Sequence, residues 1–127
     1  MSGMKTFLLF MLACFVASPV TASQREDHLR TFANCAGRLT AQLEHEWLMS
    51  DPKAQITEQQ RRQVIELLQA VQLPDHGRDV LMWRVAARAA HRSLLQRAAF
   101  SQDADDAVWA EKNAQRLVAD CTAFLLS

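Results

Sequence analysis

Very few residues between 23 and 127 would interrupt an α-helix. Glycine occurs there only at Gly37 and Gly77, and proline only at Pro52 and Pro74. Tyrosine is absent, and no segment alternates apolar and polar residues with the period of two that a strand requires. Apolar residues recur at steps of three and four, which places them on one face of a helix. The sequence therefore predicts an all-α domain.

Four helices follow from this periodicity and from the residues at its interruptions. Thr57 and Gln60 have the spacing of a capping box, so we predict that the second helix opens with Thr57 as its N-cap. Short connections favour antiparallel neighbours, hence an up-down-up-down four-helix bundle. The other predicted bounds are about 24–49 for the first helix, a start between 75 and 79 and an end near 100 for the third, and a cap at Ser101 or Asp103 for the fourth.

Each predicted helix has one apolar face, which we expect to lie inside the bundle. The second helix is the shortest, which would leave an apolar groove open to a ligand or a partner helix. Aromatic residues should form one cluster at each end: Trp47, Phe100 and Trp109, and Phe32, Trp83 and Phe124. The predicted inner residues are Leu29, Phe32, Ala36, Leu39, Leu43 and Trp47; Val64, Leu67, Leu68 and Val71; Val80, Trp83, Ala87, Ala90, Leu94 and Ala98; and Ala107, Ala110, Ala114, Leu117, Cys121 and Phe124.

Cys35 and Cys121 lie near opposite ends of this domain. In an up-down-up-down bundle the start of the first helix lies beside the end of the fourth. At ~1.5 Å rise per residue, both cysteines fall roughly 8 to 15 Å from the same end of the bundle. Both also fall on or beside the predicted inner faces. We therefore predict a Cys35–Cys121 disulfide, with two unpaired core thiols as the alternative.

Residues 1–22 have the pattern of an export signal. Lys5 is followed by an uncharged, mostly apolar run that a Ser-Pro pair ends, and small residues follow at 20–22. This order is typical of a secretory signal peptide, so we predict cleavage after Ala22 and a single helical domain at 23–127. The mature protein would be periplasmic or secreted, in an oxidising space that allows the disulfide, and would have no membrane span.

Cys14 supports a different interpretation of the leader. Met11-Leu12-Ala13-Cys14 resembles a bacterial lipobox, in which the cysteine is lipidated and becomes the first residue. However, Met is unusual at the first position of this motif, and the apolar run continues past Cys14 where a polar tether is usual. A lipid-anchored envelope protein is therefore the alternative location.

The balance of charge limits the classes of partner. The chain has 14 basic and 14 acidic side chains, and loss of Lys5 with the leader would leave one more acidic than basic side chain. Nucleic-acid binding requires a concentrated basic surface, so nucleic acid is not predicted as a partner.

Arg84, Arg88 and Arg92 are the most suggestive charged feature. Their four-residue spacing places them on one ridge of the third helix. Arginine suits bidentate recognition of carboxylate or phosphate, so this ridge is a candidate surface for a protein or a small anionic ligand. The alternative is a solvated outer face whose arginine stems cover the alanine-rich helix and whose guanidinium groups pair with acidic neighbours.

The sequence contains no catalytic or cofactor motif. His28 precedes Cys35 by seven residues, about 10 Å along one helix, which is too far for direct proton transfer. None of the histidines has the H-x-x-x-H or E-x-x-H spacing that presents metal ligands from one helix face. We therefore predict no enzymatic activity and no cofactor. A haem bundle in which His91 pairs with Met82 or Met49 is the alternative.

These features together predict a small exported helical protein with a non-catalytic binding or accessory role. Its candidate contact surfaces are the Arg84/Arg88/Arg92 ridge and the aromatic ends. Three alternatives remain: a periplasmic stress-type chaperone, a haem- or metal-binding bundle, and a lipid-anchored envelope protein.

Overall fold

The computed structural model describes residues 21–125, and these residues form four α-helices without a strand. The helices are α1 (Ala22–Leu48), α2 (Ala54–Val71), α3 (Gly77–Phe100) and α4 (Ala104–Ala123), with a 3-10 turn at Pro74–His76 before α3. The predicted all-α class is confirmed. Cys14 and nearly all of the predicted leader lie outside the described residues.

The start of α4 agrees with the sequence, whereas the start of α2 does not. Asp103 caps α4, because its side chain accepts hydrogen bonds from the backbone N–H groups of Asp105 and Asp106. The predicted capping box is wrong, since α2 begins at Ala54 and Thr57 is buried within the helix. Thr57 therefore belongs to the inner face of α2.

The turn before α2 explains its early start. The side chain of Asp51 accepts a hydrogen bond from the Lys53 N–H, and the carbonyl oxygen of Asp51 accepts one from the Ala54 N–H. These two bonds turn the chain into helical geometry directly after Pro52, whose fixed φ suits the start of a helix.

The other three helices are arranged around α1. This helix contacts all three others, and its most extensive interface is with α3. α4 packs on α3 and on α1, whereas α2 packs on α1 and forms no comparable interface with α3 or α4 within residues 21–125. The up-down-up-down order is confirmed, with the parallel helices α1 and α3 in direct contact.

Gly37 allows α1 and α3 to approach closely. A Cβ atom at this position would overlap the carbonyl oxygen of Arg84 and lie 3.0 Å from the backbone nitrogen of Arg88. Favourable contacts between heavy atoms lie near 3.5–4.0 Å, so no side chain fits between the two backbones here. Glycine is therefore a steric requirement of this interface.

The predicted disulfide between Cys35 and Cys121 is present and ties α1 to α4, with the two Cα atoms 5.3 Å apart. Beside it, the rings of Phe32 and Phe124 meet edge to face with centroids 5.4 Å apart, and Trp83 packs against the same core. The cysteines are separated by 86 residues, for which the chain-entropy model gives a stabilisation of about 4 to 5 kcal/mol.

The two halves of the bundle have different interiors. The half that contains the disulfide, which we call the disulfide half, has an apolar core. The other half, which we call the open half, is built from the later parts of α1 and α3 and the earlier parts of α2 and α4. It buries the polar residues Glu46, Thr57 and His91. The core of the disulfide half comprises Leu29, Ala33, Cys35, Ala36, Leu39, Val64, Leu68, Val80 and Cys121.

Several residues assigned to inner faces lie outside. Trp47 is 57 % exposed, and its place on the buried face of α1 is taken by Glu46. Leu67 and Val71 are each 37 % exposed, because α2 packs on α1 alone and buries only a narrow strip. In α3, Ala90 is exposed, and the adjacent residue His91 is buried on the inner face.

We expect replacement of Gly37 by alanine to destabilise the protein, although alanine is intrinsically the better helix former. The added methyl group would overlap the backbone of α3, so the helices must separate. The free energy of unfolding should fall by about 2 kcal/mol, as for other overpacked interiors. Urea unfolding followed by circular dichroism, with the disulfide intact, measures this change.

Gly77→Ala is the matched control. A Cβ atom there would meet only the side-chain nitrogen of Gln72, at 3.9 Å, and the backbone of Gly77 is already helical with φ −58°. Its stability should stay unchanged or rise by roughly 0.5–1 kcal/mol. Equal stabilisation by both substitutions would contradict the close approach of α1 and α3.

Candidate functional site

A groove of about 630 Å³ lies between the later parts of α1 and α3, in the open half. We call it the amphiphilic groove, because it joins a large apolar surface to a small cluster of charges. Within residues 21–125, its lining comes only from α1 with its C-cap and from α3. The lining residues are Ala41, Glu44, His45, Trp47, Leu48, Met49, Arg88, Arg92, Leu95, Gln96 and Phe100.

The apolar part of the groove is unusually exposed. Trp47 is 57 % exposed and Phe100 is 71 % exposed. Leu48 and Met49, which line the same groove, are each more than half exposed. Apolar side chains grouped on a surface in this way indicate a binding site more often than isolated ones do. The structure thus brings Trp47 and Phe100 together in one groove, as the sequence predicted.

Trp109 does not take part in this cluster. Its ring stacks instead against the guanidinium of Arg97, and the Cζ atom of Arg97 lies 5.0 Å from the centroid of the Trp109 ring. Arg97 also forms an ion pair with Asp106, which holds it over the first turns of α4. The predicted cluster of three aromatic residues at this end is therefore reduced to two.

The charged part of the groove is built on Glu44 of α1. Its carboxylate forms ion pairs with Arg88, through two guanidinium nitrogens, and with Arg92, whose Nη2 lies 2.9 Å from Oε2. Partial burial acts to raise the pKa of Glu44, but hydrogen bonds from Arg92 and Arg88 outweigh it and hold the pKa below its usual value. Two guanidinium groups on one carboxylate leave a net positive charge at the edge of the apolar surface.

Arg84 is separated from the other two arginines of the predicted ridge. It does not line the groove, and it forms no ion pair within the described part of the chain. Its backbone lies at the crossing with Gly37, one turn before Arg88. Four-residue spacing correctly places the three arginines on one ridge, but only Arg88 and Arg92 reach the groove.

A second cavity, of about 650 Å³, lies between α2 and α4, and we call it the α2–α4 cavity. Residues of all four helices and of the turn before α2 line it, and His45 and Leu95 line both cavities. It matches the opening expected from the short second helix, which has 18 residues. The expected groove was apolar, whereas the lining of this cavity combines apolar side chains with carboxylates and amides.

A chain of buried polar side chains leads to this second cavity. The Nε2 atom of His91 lies 2.9 Å from Oε1 of Gln42, and Nε2 of Gln42 donates to Oε1 of Glu46 at 3.0 Å. Glu46 is 4 % exposed and His91 1 %. From the sequence, His91 was considered only as a haem ligand and neither residue was assigned to an inner face, although Glu46 follows Leu39 by seven positions and His91 follows Ala87 by four. Those spacings place them on the inner faces.

His91 is neutral at pH 7. Burial, and then electrostatic interactions with Arg38 and His45, lower its pKa from 6.5 to about 4. A neutral imidazole has one N–H, and the carbonyl oxygen of Gln42 can only accept, so Nε2 is the protonated nitrogen. His91 therefore donates to Gln42, and Gln42 donates to Glu46.

The structure does not bring together the residues of the haem alternative. The imidazole of His91 is bonded inside the core, whereas Met82 and Met49 are both more than half exposed. Residues 21–125 contain no group of three His, Cys, Asp or Glu side chains able to hold a metal ion. Cys35 is part of the disulfide, so it has no thiol to act as a nucleophile.

Two further findings concern the chain as a whole. None of the helices in residues 21–125 is long and apolar enough to cross a membrane. No protein-family model, curated protein or solved structure matches the chain. The functional proposal therefore rests on the two cavities and on their charges.

Stability should depend on pH through His91. The pKa is near 6.5 in the unfolded chain and about 4 in the folded protein, so between these values the unfolded state binds a proton that the folded state does not. The contribution of His91 to the free energy of unfolding is therefore fully present above pH 6.5 and is lost as the pH falls toward 4. The loss between pH 7 and pH 4.5 should be about 2 kcal/mol.

Replacement of His91 by glutamine should remove this part of the pH dependence, because glutamine keeps a donor for Gln42 but does not titrate. Urea unfolding of both proteins at the two pH values measures the difference. His28→Gln is the control, since His28 is exposed and its replacement should leave the pH dependence unchanged. The same pH dependence in the His91→Gln protein and in the unaltered one would contradict the assignment.

Proposed function

We propose that this protein is a small exported binding protein, without catalytic activity, that holds an anionic amphiphile in the amphiphilic groove. The observation that carries the proposal is the position of Arg88 and Arg92, which share Glu44 at the edge of an exposed apolar surface. The ligand class is an alkyl chain that ends in a carboxylate or a phosphate.

The apolar side chains of the groove suit the tail of such a ligand. Trp47, Phe100 and Met49 offer large exposed surfaces to it, and a volume of about 630 Å³ is in the usual range for small-molecule sites. Each methylene group removed from water contributes about 0.8 kcal/mol to binding. The tail would therefore supply most of the affinity.

The arginines suit the head group. Arg88 and Arg92 are each about half exposed, so guanidinium N–H groups not engaged by Glu44 remain open to the groove. A guanidinium binds a carboxylate or phosphate through parallel hydrogen bonds, which are stronger than those between neutral groups. The net charge of the cluster favours an anionic head group over a cationic one.

Two features support export. The disulfide is compatible with an oxidising space outside the cytoplasm, and the leader pattern at 1–22 is typical of a signal peptide. A periplasmic or secreted location fits a carrier that meets amphiphiles released from an envelope.

A stress-type chaperone is the second candidate function. Leu81, Met82 and Val85 form a further exposed apolar surface on α3, and protonation of His91 would loosen the open half in acid. A chaperone should bind an apolar dye more strongly at pH 4.5 than at pH 7 and should prevent aggregation of an unfolded client. A carrier of amphiphiles should bind its ligand at pH 7 and should not prevent aggregation of an unfolded client.

Dodecanoate, used below its micelle concentration, tests the ligand class. Isothermal titration calorimetry should show binding of one molecule in the micromolar range, and Arg88→Gln with Arg92→Gln should weaken it at least about tenfold through loss of charge-assisted hydrogen bonds. Dodecyltrimethylammonium, which has the same tail and the opposite charge, should bind more weakly than dodecanoate.

Arg84→Gln is the matched control, because Arg84 belongs to the same ridge but lies outside the groove. It should leave dodecanoate affinity unchanged. Equal affinity for the two amphiphiles, together with no effect of the double substitution, would refute the proposed head-group site.

The intact mass of the protein purified from its native envelope tests export. We expect a chain that begins at Ser23 and gains two alkyl groups only after reduction. A chain that begins at a diacylated Cys14 would instead show a lipid-anchored protein. A mass that includes the whole leader would contradict cleavage.

A further inference from the structure

The α2–α4 cavity is lined by a buried glutamate, one of whose carboxylate oxygens has no hydrogen-bond partner among residues 21–125. Glu46 lines the cavity, and its Oε1 atom accepts a hydrogen bond from Gln42. Its Oε2 atom is buried and has no hydrogen-bond partner among the described residues. A carboxylate held away from water is unfavourable unless a donor or a positive charge meets it. Within residues 21–125, this oxygen therefore lacks the donor or positive charge that would stabilise it.

The hydrogen bonds of His91 and Gln42 leave the carboxylate of Glu46 as the acceptor at the end of the chain. His91 donates to Gln42, which leaves the amide nitrogen of Gln42 to donate to Glu46. The bond from His91 fixes the side chain of Gln42, and the bond from Gln42 in turn fixes the carboxylate of Glu46 in one orientation. A preorganised acceptor of this kind favours a cation that carries N–H donors.

The charges around the cavity favour a cation as well. Asp51 of the turn and Glu111 of α4 also line it, whereas Lys53 is the one lysine or arginine that residues 21–125 contribute to its lining. Several negative charges around a concave surface raise the local concentration of cations. The lining also includes the small apolar side chains of Ala98, Ala99, Ala114 and Ala119.

We infer that the α2–α4 cavity binds an aliphatic amine with at least two ammonium groups, one of which pairs with Glu46. An ammonium has three N–H donors, and the amide of Gln60 and the hydroxyl of Thr57 line the same cavity as further acceptors. The methylene groups lie against the alanines, and Glu111 receives the second ammonium. A metal ion fits less well, because the described residues hold no group of three ligands for one.

This site is distinct from the amphiphilic groove in the charge it selects. The amphiphilic groove has two arginines and one glutamate, whereas the α2–α4 cavity has three carboxylates and one lysine. The two cavities meet at His45 and Leu95. Binding of an amine at one site and of an anion at the other can therefore be measured separately on the same molecule.

Calorimetric titration of the disulfide-bonded mature protein with diaminobutane at pH 7 and low salt tests the inference. We expect saturable binding that Glu46→Gln weakens at least about tenfold, since glutamine has the same shape without the charge. Glu66→Gln is the matched control, because Glu66 is exposed on α2 and does not line the cavity. It removes the same formal charge and should change the affinity less than twofold.

Two further variants test the position of the ligand. Glu111→Gln should weaken binding of diaminobutane but leave binding of butylamine unchanged, which locates the second ammonium. Ala119→Phe narrows the cavity from its exposed rim without altering Glu46, so it should abolish binding of both amines. Circular dichroism confirms that each variant is folded, and retained dodecanoate binding in Glu46→Gln keeps this test independent of the anion site.

Three outcomes would overturn the inference. The first is the absence of binding to the unaltered protein at millimolar diaminobutane. The second is equal affinity in the Glu46→Gln and unaltered proteins. The third is equal affinity for diaminobutane and butanediol, which would show that the cavity does not select positive charge.

Discussion

The close contact between α1 and α3 at Gly37 is the constraint on which the rest of the structure depends. Because no side chain separates the two backbones there, α1 and α3 pack as a parallel pair although they are diagonal in the up-down-up-down order. Beyond this crossing, the longer side chains of Glu44, Arg88 and Arg92 lie between the helices. The same three side chains line the amphiphilic groove.

The covalent link and the two cavities described above lie in different halves of the bundle. The disulfide half has an apolar core, an edge-to-face aromatic pair and a covalent link between α1 and α4. The open half has two cavities and buries Glu46 and His91, which cost free energy unless their hydrogen bonds are satisfied. A covalent link at one end allows the other end to keep such unfavourable groups. Both proposed sites lie in that second half.

Local rules and global packing explain which sequence predictions were right. Asp103 was one of the two caps predicted for α4, and this kind of prediction succeeds because the bonds of a cap involve only neighbouring backbone groups. Thr57 also has the chemistry of a cap, but the turn at Asp51 starts α2 earlier and places Thr57 inside. Trp47 was wrongly assigned to the core, since periodicity identifies an apolar face but not which of two adjacent residues a neighbouring helix covers.

The sequence by itself determined the helices, their order and the disulfide, since periodicity, chain breakers and cysteine spacing are properties of the chain. It also identified the ridge of Arg84, Arg88 and Arg92. Only the tertiary structure decided that Arg88 and Arg92 meet Glu44 beside an apolar groove and that Arg84 does not. It alone placed Glu46 and His91 in a buried chain with Gln42. The physical reason is that burial and pairing depend on which helix lies opposite, and helical periodicity is the same whichever neighbour a face meets.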